Sequence, residues 1–134
     1  MKFHHVGIVV PKIQESLGEI MKYLKFEAIS VPSLIASQKV NVCFLRAGST
    51  YLELIEPADE NSPISNFLKN GGGVHHVCFE VKDIHKEVED LIAKGARLIV
   101  KPVKGFEGRL IAFLMLNMKN TNCNLIELAE KKPS

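Results

Sequence analysis

Arginine is scarce in this chain. Of its 17 basic residues only Arg46, Arg97 and Arg109 are arginine, the lysines are scattered, and the formal net charge is +2. Such a surface has no basic stripe, so a nucleic-acid partner is not expected. Cysteine is few and odd in number: Cys43, Cys78 and Cys123 stand far apart in apolar, strand-like surroundings. They read as reduced thiols packed as small hydrophobes, not as a disulfide framework or a thiolate zinc site. Long apolar runs are missing as well. Nothing approaches the roughly 20 residues a membrane span needs, and the N-terminal stretch has neither the apolar core nor the cleavage site of a signal peptide. A cytoplasmic location with no membrane partner is the expectation. What remains is an ordinary globular composition of 134 residues, 46% hydrophobic and 24% charged. That is enough for one domain burying about two thirds of its unfolded surface.

What the chain does have is one module written twice. Residues 4–10 read His-His-Val-Gly-Ile-Val-Val, and behind Gly71-Gly72-Gly73 the chain repeats the pattern as Val74-His75-His76-Val77-Cys78-Phe79-Glu80-Val81. His5 falls on His76, Val6 on Val77, Ile8 on Phe79 and Val10 on Val81 at a constant offset of 71. The offset holds beyond the strands: Ile13, Leu17, Ile20 and Met21 land on Ile84, Val88, Leu91 and Ile92. Both sets have the spacing of a helix that buries one face. Leu52-Glu53-Leu54-Ile55-Glu56 returns as Ile126-Glu127-Leu128-Ala129-Glu130 at an offset of 74. Two copies with a long period indicate paired modules, not a solenoid.

Each copy reads as βαβββ. In module 1 (about 1–57) the pattern predicts strands at Phe3–Val10, Glu27–Val31, Val40–Ala47 and Tyr51–Glu56, with a helix from Lys12 to Lys25 after Pro11. A linker (58–72) holds a short helix, Pro63–Lys69, with Ser62 as N-cap and Pro63 in its first turn. Module 2 (about 73–130) is expected to have strands at Val74–Val81, Arg97–Lys101, Arg109–Leu116 and Asn124–Glu130. Its helix, Ile84–Lys94, lies between an Asp83 cap and Gly95. Lys131–Ser134 reads as a polar tail. The fold class is α+β, a single domain.

Strand parity separates the faces. Val6, Ile8 and Val10, and likewise Val77, Phe79 and Val81, share the faces that should carry the helices. The other faces hold His5, Gly7 and Val9 in one copy and His76, Cys78 and Glu80 in the other, smaller and more polar sets suited to a concave surface. Glu53 and Glu127 point away from their apolar neighbours by the same alternation. Two inward carboxylates repel each other unless a cation lies between them. Two neutral imidazoles and two carboxylates make an N2O2 set suited to Zn, Ni, Co, Mn or Fe(II) rather than Ca. One divalent ion on His5, Glu53, His76 and Glu127 is therefore expected. The same pattern is met by ordinary strand histidines and half-exposed glutamates; the coincidence of both pairs in register across a duplication favours the metal. His4 and His75 fall with the core-facing set as packing residues, and His85 reads as a solvated helix residue.

With His, Glu, His and Glu at these places, the paired modules resemble the vicinal oxygen chelate superfamily (glyoxalase, bleomycin-resistance and dioxygenase proteins) across essentially the whole chain. Within it, Leu52-Glu53-Leu54-Ile55-Glu56-Pro57, Ser62-Pro63-Ile64, Phe67-Leu68 and Gly72-Gly73-Val74-His75-His76-Val77 are similar to the methylmalonyl-CoA epimerases. The resemblance implies an eight-stranded, open, barrel-like sheet around a metal cavity with those four ligands. It implies proton transfer next to a thioester carbonyl with a metal-held enolate, Glu127 serving as one proton-transfer group. The glutamate that serves as the other in those enzymes is Ser37 here. Aligning Cys43-Phe44-Leu45 with Ala112-Phe113-Leu114, an offset of 69, pairs Gln38 with Glu107. Glu107 is then the candidate second proton-transfer group, or with Arg109 a reader of a substrate group. Glyoxalase I, acting on a hemithioacetal, shares the ligand set, but its Asp-Pro-x-Gly turn is absent from Asn120–Asn124. Extradiol dioxygenases and fosfomycin-resistance enzymes use three ligands, against the four here. A non-catalytic small-molecule binder is the remaining alternative. A homodimer acting on an acyl thioester or hemithioacetal is the expected assembly.

Overall fold

The heptapeptides that open the two copies are both strands, β1 (Lys2–Val9) and β6 (Gly73–Val81). The computed structural model describes residues 1–133; Ser134, the end of the expected tail, lies outside them. Among the described residues the fold is mixed α+β, with nine strands and three helices. Two compact units are distinguished, His5–His75 and a second made of Met1–His4 with the chain from His76 onward.

In the first unit β1 is followed by α1 (Ile13–Ile20), β2 (Ala28–Ile29), β3 (Ser33–Ile35), β4 (Val40–Ala47), β5 (Thr50–Pro57) and α2 (Ser65–Lys69). The strand order is β2-β4-β5-β1, with β3 also paired to β4. β1 runs parallel to β5, and β4 antiparallel to it. The helix-bearing face packs Ile13, Cys43, Leu45 and Leu54 with Ile8, Val10, Leu17 and Ile20, as parity requires. The opposite face is not left open along its whole length. Val9, Val40, Val42 and Ile55 are buried there under Ile64, Phe67 and Leu68 from α2 and the turn before it. Such a run of aliphatic side chains is stabilised by the removal of apolar area from water.

Three local readings are corrected in this unit. The first helix ends at Ile20 rather than Lys25, its exit closed by N–H groups of Tyr23 and Leu24 on the Ile20 carbonyl. Met21, Tyr23 and Leu24 are exposed and bury no face that would extend it. The strand expected at Glu27–Val31 is reduced to Ala28–Ile29, and beyond Pro32 a further short strand, β3, raises the strand count from eight to nine. The linker helix starts at Ser65, and Ser62 does not cap it with its side chain. The Ser62 carbonyl instead accepts from Ser65 N–H in a preceding turn.

The second unit repeats the plan with β6, α3 (Ile84–Ala93), β7 (Arg97–Lys104), β8 (Leu110–Met115) and β9 (Leu125–Glu130) in the order β6-β9-β8-β7. Asp83 caps α3, accepting from Lys86 N–H at 3.2 Å. Gly95, at φ +105°, ends it where a side chain would be strained. The helix face packs Ile84, Val88, Ala112, Leu114, Ile126 and Leu128 with Val77 and Phe79. β7 runs to Lys104, three residues past its expected end, through two register shifts against β8.

Candidate metal centre

In the first unit, β5 sets Glu53 beside Gly7, two residues along β1 from His5. His5 Nε2 lies 3.2 Å from Glu53 Oε1, with the side chains 0% and 4% exposed. β4 puts Phe44 opposite Glu53, and the Phe44 ring stands edge-on to the His5 imidazole, centroids 5.3 Å apart at 77°.

The second unit builds the same arrangement from its own strands. β9 sets Glu127 beside Cys78, two residues from His76, and β8 puts Phe113 opposite Glu127. His76 Nε2 lies 3.0 Å from Glu127 Oε1, the side chains 3% and 6% exposed. The Phe113 ring is edge-on to His76 at 5.2 Å and 88°. The register therefore reproduces all three offsets: 71 at the histidines, 74 at the glutamates and 69 at the phenylalanines.

Buried carboxylates in apolar walls cost several kcal/mol each unless a cation compensates them. Nitrogen and oxygen ligands of one first-row ion, each about 2.1 Å from it, lie about 3.0–3.4 Å apart at angles of 90–109°. The separations of 3.2 and 3.0 Å match that geometry within each pair. The donor set fits a divalent metal.

The other candidates are placed as follows. His4 is 9% exposed, and its ring is 5.1 Å from that of buried Phe106, a packing role. His75 is half-buried, edge-on to Phe67 at 4.9 Å, and His85 is exposed. All three cysteines are free thiols. Cys43 donates to the Ser30 carbonyl at 3.2 Å, and burial pushes its pKa up, keeping it an unreactive neutral thiol. Cys123 lies in a loop rather than a strand. Ser37 is exposed in the short 3-10 turn Ala36–Gln38 that precedes β4. Its counterpart in module 2 is the turn Phe106–Gly108, where Glu107 adopts φ 55°, ψ 22°. Glu107 Oε1 is 3.3 Å from Arg109 Nε and its Oε2 accepts from Lys132 Nζ, with the carboxylate 42% exposed.

Two carboxylates missed in the sequence also emerge. Glu56 accepts from Ile13 N–H at 2.7 Å, and Glu130 from Ile84 N–H at 3.2 Å, so the last strand of each module caps that module's helix. The signal was present: Glu56 lies three residues after Glu53, as Glu130 does after Glu127, and so on the opposite face of its strand.

Fold and repeated pairs together define a metal-binding class. The chain belongs to the Glyoxalase/Bleomycin resistance protein/Dioxygenase superfamily, whose family model matches residues 4–113. It is 38% identical over 133 residues to the mitochondrial methylmalonyl-CoA epimerase of Dictyostelium discoideum, covering 97% of this chain and 78% of that one. It is 33% identical over 133 residues to the ethylmalonyl-CoA/methylmalonyl-CoA epimerase of Cereibacter sphaeroides, covering 96% and 97%. Its structure matches that of a Streptomyces coelicolor methylmalonyl-CoA epimerase variant in complex with 2-nitronate-propionyl-CoA, with a TM-score of 0.86, 28% identity and 99% coverage of each chain. These relatives belong to the branch that the Leu52–Pro57 and Gly72–Val77 motifs resemble. No helix among the described residues is long and apolar enough to cross a membrane.

Proposed function

We propose that the chain is a divalent-metal-dependent epimerase that moves the proton α to a thioester carbonyl, with a 2-methylmalonyl thioester as substrate. In this reading the two modules act as one domain, with one metal held by His5, Glu53, His76 and Glu127, in a cytoplasmic homodimer. The observation that carries it is the double occurrence, in the same strand register, of a buried imidazole 3.2 or 3.0 Å from a buried carboxylate. The epimerase relatives, similar over nearly the whole chain, supply the reaction class.

A carbon acid beside a carbonyl is too weak for a side-chain base alone, and a divalent cation at these ligands supplies Lewis acidity for the charge that develops on the carbonyl oxygen. Zn, Ni, Co and Mn all suit the donor set. The Phe44 and Phe113 rings set the planes of the two imidazoles and contribute apolar walls. Glu127 takes or returns the α-proton on one face of the planar carbon. Inversion requires a second group on the other face. Glu107 is that group in this reading, and to act it must part from Lys132.

Metal-loaded protein in D₂O, offered a methylmalonyl thioester, is expected to place deuterium at C2 and to interconvert the epimers. Hemithioacetal isomerisation is the second reading, favoured by Glu53 at the second ligand position. Conversion of a hemithioacetal without exchange in the thioester would establish it instead. Tight binding of either compound with no exchange would indicate a binding protein.

A further inference from the structure

The face of the first unit that carries His5 and Glu53 is built in rows across three strands. Register sets Gly7 of β1, Glu53 of β5 and Phe44 of β4 side by side, and two residues further along each strand come Val9, Ile55 and Val42. Alternation keeps all of these on one face. Two residues of strand span about 7 Å, so the aliphatic row begins where the ligand row ends. Val40, beside Pro57, extends it by one step more.

These aliphatic side chains are out of solvent: Val9, Val42 and Ile55 are 2%, 2% and 4% exposed. Ile64, Phe67 and Leu68, from α2 and the turn before it, pack onto them. α2 belongs to neither copy of the repeat. Module 2 builds the equivalent rows, by the offsets of 71, 74 and 69, from Glu80, Ala129, Ile111 and Arg109. There Arg109 Nη1 donates to Glu80 Oε2 at 3.0 Å. Module 2 thus keeps an ion pair at the place where module 1 has two valines under a helix, and the apolar cover is an addition that the βαβββ plan does not require.

The cover presents an apolar edge beside the ligands. Ile64 is buried, whereas Phe67 and Leu68 are half-buried, as is Phe44. Phe44 packs against the same aliphatic cluster and stands edge-on to the His5 imidazole at 5.3 Å. Two contacts hold the cover in place. The Phe67 ring packs T-shaped against that of His75, centroids 4.9 Å apart. The exit of α2 is pinned at Gly72, where a Cβ would meet the Val9 carbonyl oxygen at 2.8 Å.

We infer that Phe67 and Leu68 are specificity-determining residues: with Phe44 they form a fixed apolar wall beside His5 and Glu53 that limits the length of the alkyl group on the α-carbon of the thioester. The inference rests on the thioester reading above, which brings the α-carbon to the ligand row. A short substituent fits between the ligands and the wall. A longer one meets the half-buried sides of Phe67 and Leu68. One methylene gained or lost in an apolar pocket changes discrimination by about tenfold or more.

The test uses the metal-loaded protein and the 2-methyl-, 2-ethyl-, 2-propyl- and 2-butylmalonyl thioesters of pantetheine, with calorimetric affinity and the rate of deuterium uptake at C2 read for each. The wild type is expected to lose about tenfold in both between the methyl and propyl compounds. Phe67→Ala and Leu68→Ala should return most of that to the propyl compound and leave the methyl compound within about twofold of wild type. Phe67→Leu, which keeps an apolar cover, should shift the preference the same way by about threefold, and it keeps the test decisive if the alanine variants do not fold. Equal loss for all four thioesters in the variants would show a purely structural α2 and overturn the inference, as would a wild type indifferent to chain length. Affinities that shift as expected without deuterium uptake would leave the wall standing and reject the epimerase reaction. Deuterium uptake from the methyl compound with unshifted preferences would do the reverse, and binding of none of the four would reject both.

Discussion

Glu56 reaches across module 1 to accept the backbone N–H of Ile13 at 2.7 Å, and Glu130 does the same for Ile84 at 3.2 Å in module 2. A carboxylate at the start of a helix satisfies a donor that has no partner within the helix and meets the positive end of the helix dipole. Neither α1 nor its preceding Lys12 has a side-chain cap of its own, so Glu56 fills that role from a distant strand. It is held in turn by Asn41 Nδ2 at 3.1 Å.

Glu56→Ala is therefore expected to lower stability by about 1–2 kcal/mol. Glu130→Ala should cost less, about 1 kcal/mol, because α3 keeps its Asp83 cap. Urea unfolding followed by circular dichroism measures both, with metal content expected to stay at the wild-type level. Loss of metal in Glu56→Ala, at retained fold, would show that this residue serves the site instead of the helix.

The strands were legible because a period-2 pattern and its repeat constrain each other: once His5 is laid on His76, the inward places of Glu53 and Glu127 follow. The offset of 69 that aligned Phe44 with Phe113 reappears in the ladders, each ring opposite the glutamate of its own module. What the pattern could not show was competition from outside the strand. Val9 lies on the same face as His5 yet is buried under α2, because five residues of linker helix and the turn before it bring Ile64, Phe67 and Leu68 onto it. The early end of α1 was hidden for the opposite reason. Met21 and Leu24 continue the apolar spacing but stay exposed. Glu56 and Glu130 carry their signal in the repeat, three residues past Glu53 and Glu127, but a cap supplied by a distant strand has no signature next to the helix it serves.

Glycine at position 72 is fixed by two independent constraints. Its φ is +66°, and a Cβ there would lie 2.8 Å from the carbonyl oxygen of Val9, a backbone atom that cannot move aside. Gly72→Ala is expected to cost about 2–4 kcal/mol, whereas Gly48→Ala, at φ +65° but in open space, should cost about 1 kcal/mol. Denaturant midpoints of the two variants provide the comparison. Equal destabilisation would mean that the Gly72 turn shifts away from β1 at no cost.

One divalent metal per chain is the expected stoichiometry. His5→Ala and His76→Ala should each remove most of it, since each leaves a buried carboxylate without its neighbouring imidazole. Removing the metal from the wild type should lower the melting temperature. Free metal at a thousand times its Kd stabilises a folded state that alone binds it by about 4 kcal/mol. Elemental analysis after extraction and reloading, paired with thermal melts, is the measurement. Full metal in His76→Ala, or metal lost instead with His4 or His75, would overturn the ligand assignment.

The final prediction concerns the two proton-transfer groups. Glu127→Gln is expected to reduce α-proton exchange by about 10³-fold, within the range for loss of a general acid or base. Because Glu127 is also a proposed ligand, the rate must be read per bound metal. Glu107→Gln should retain the metal, since its carboxylate is engaged with Arg109 and Lys132. If Glu107 serves the second face, this variant keeps washing deuterium into one epimer while epimer interconversion falls by about 10²-fold or more. That split separates a proton donor from a structural latch, which would change stability and leave the ratio of exchange to inversion alone. Ser37→Glu places a carboxylate on the exposed turn before β4, at the position proposed as the counterpart of the epimerase glutamate. A gain of inversion in Ser37→Glu together with full activity in Glu107→Gln would assign the second face to module 1 and remove Glu107 from the chemistry.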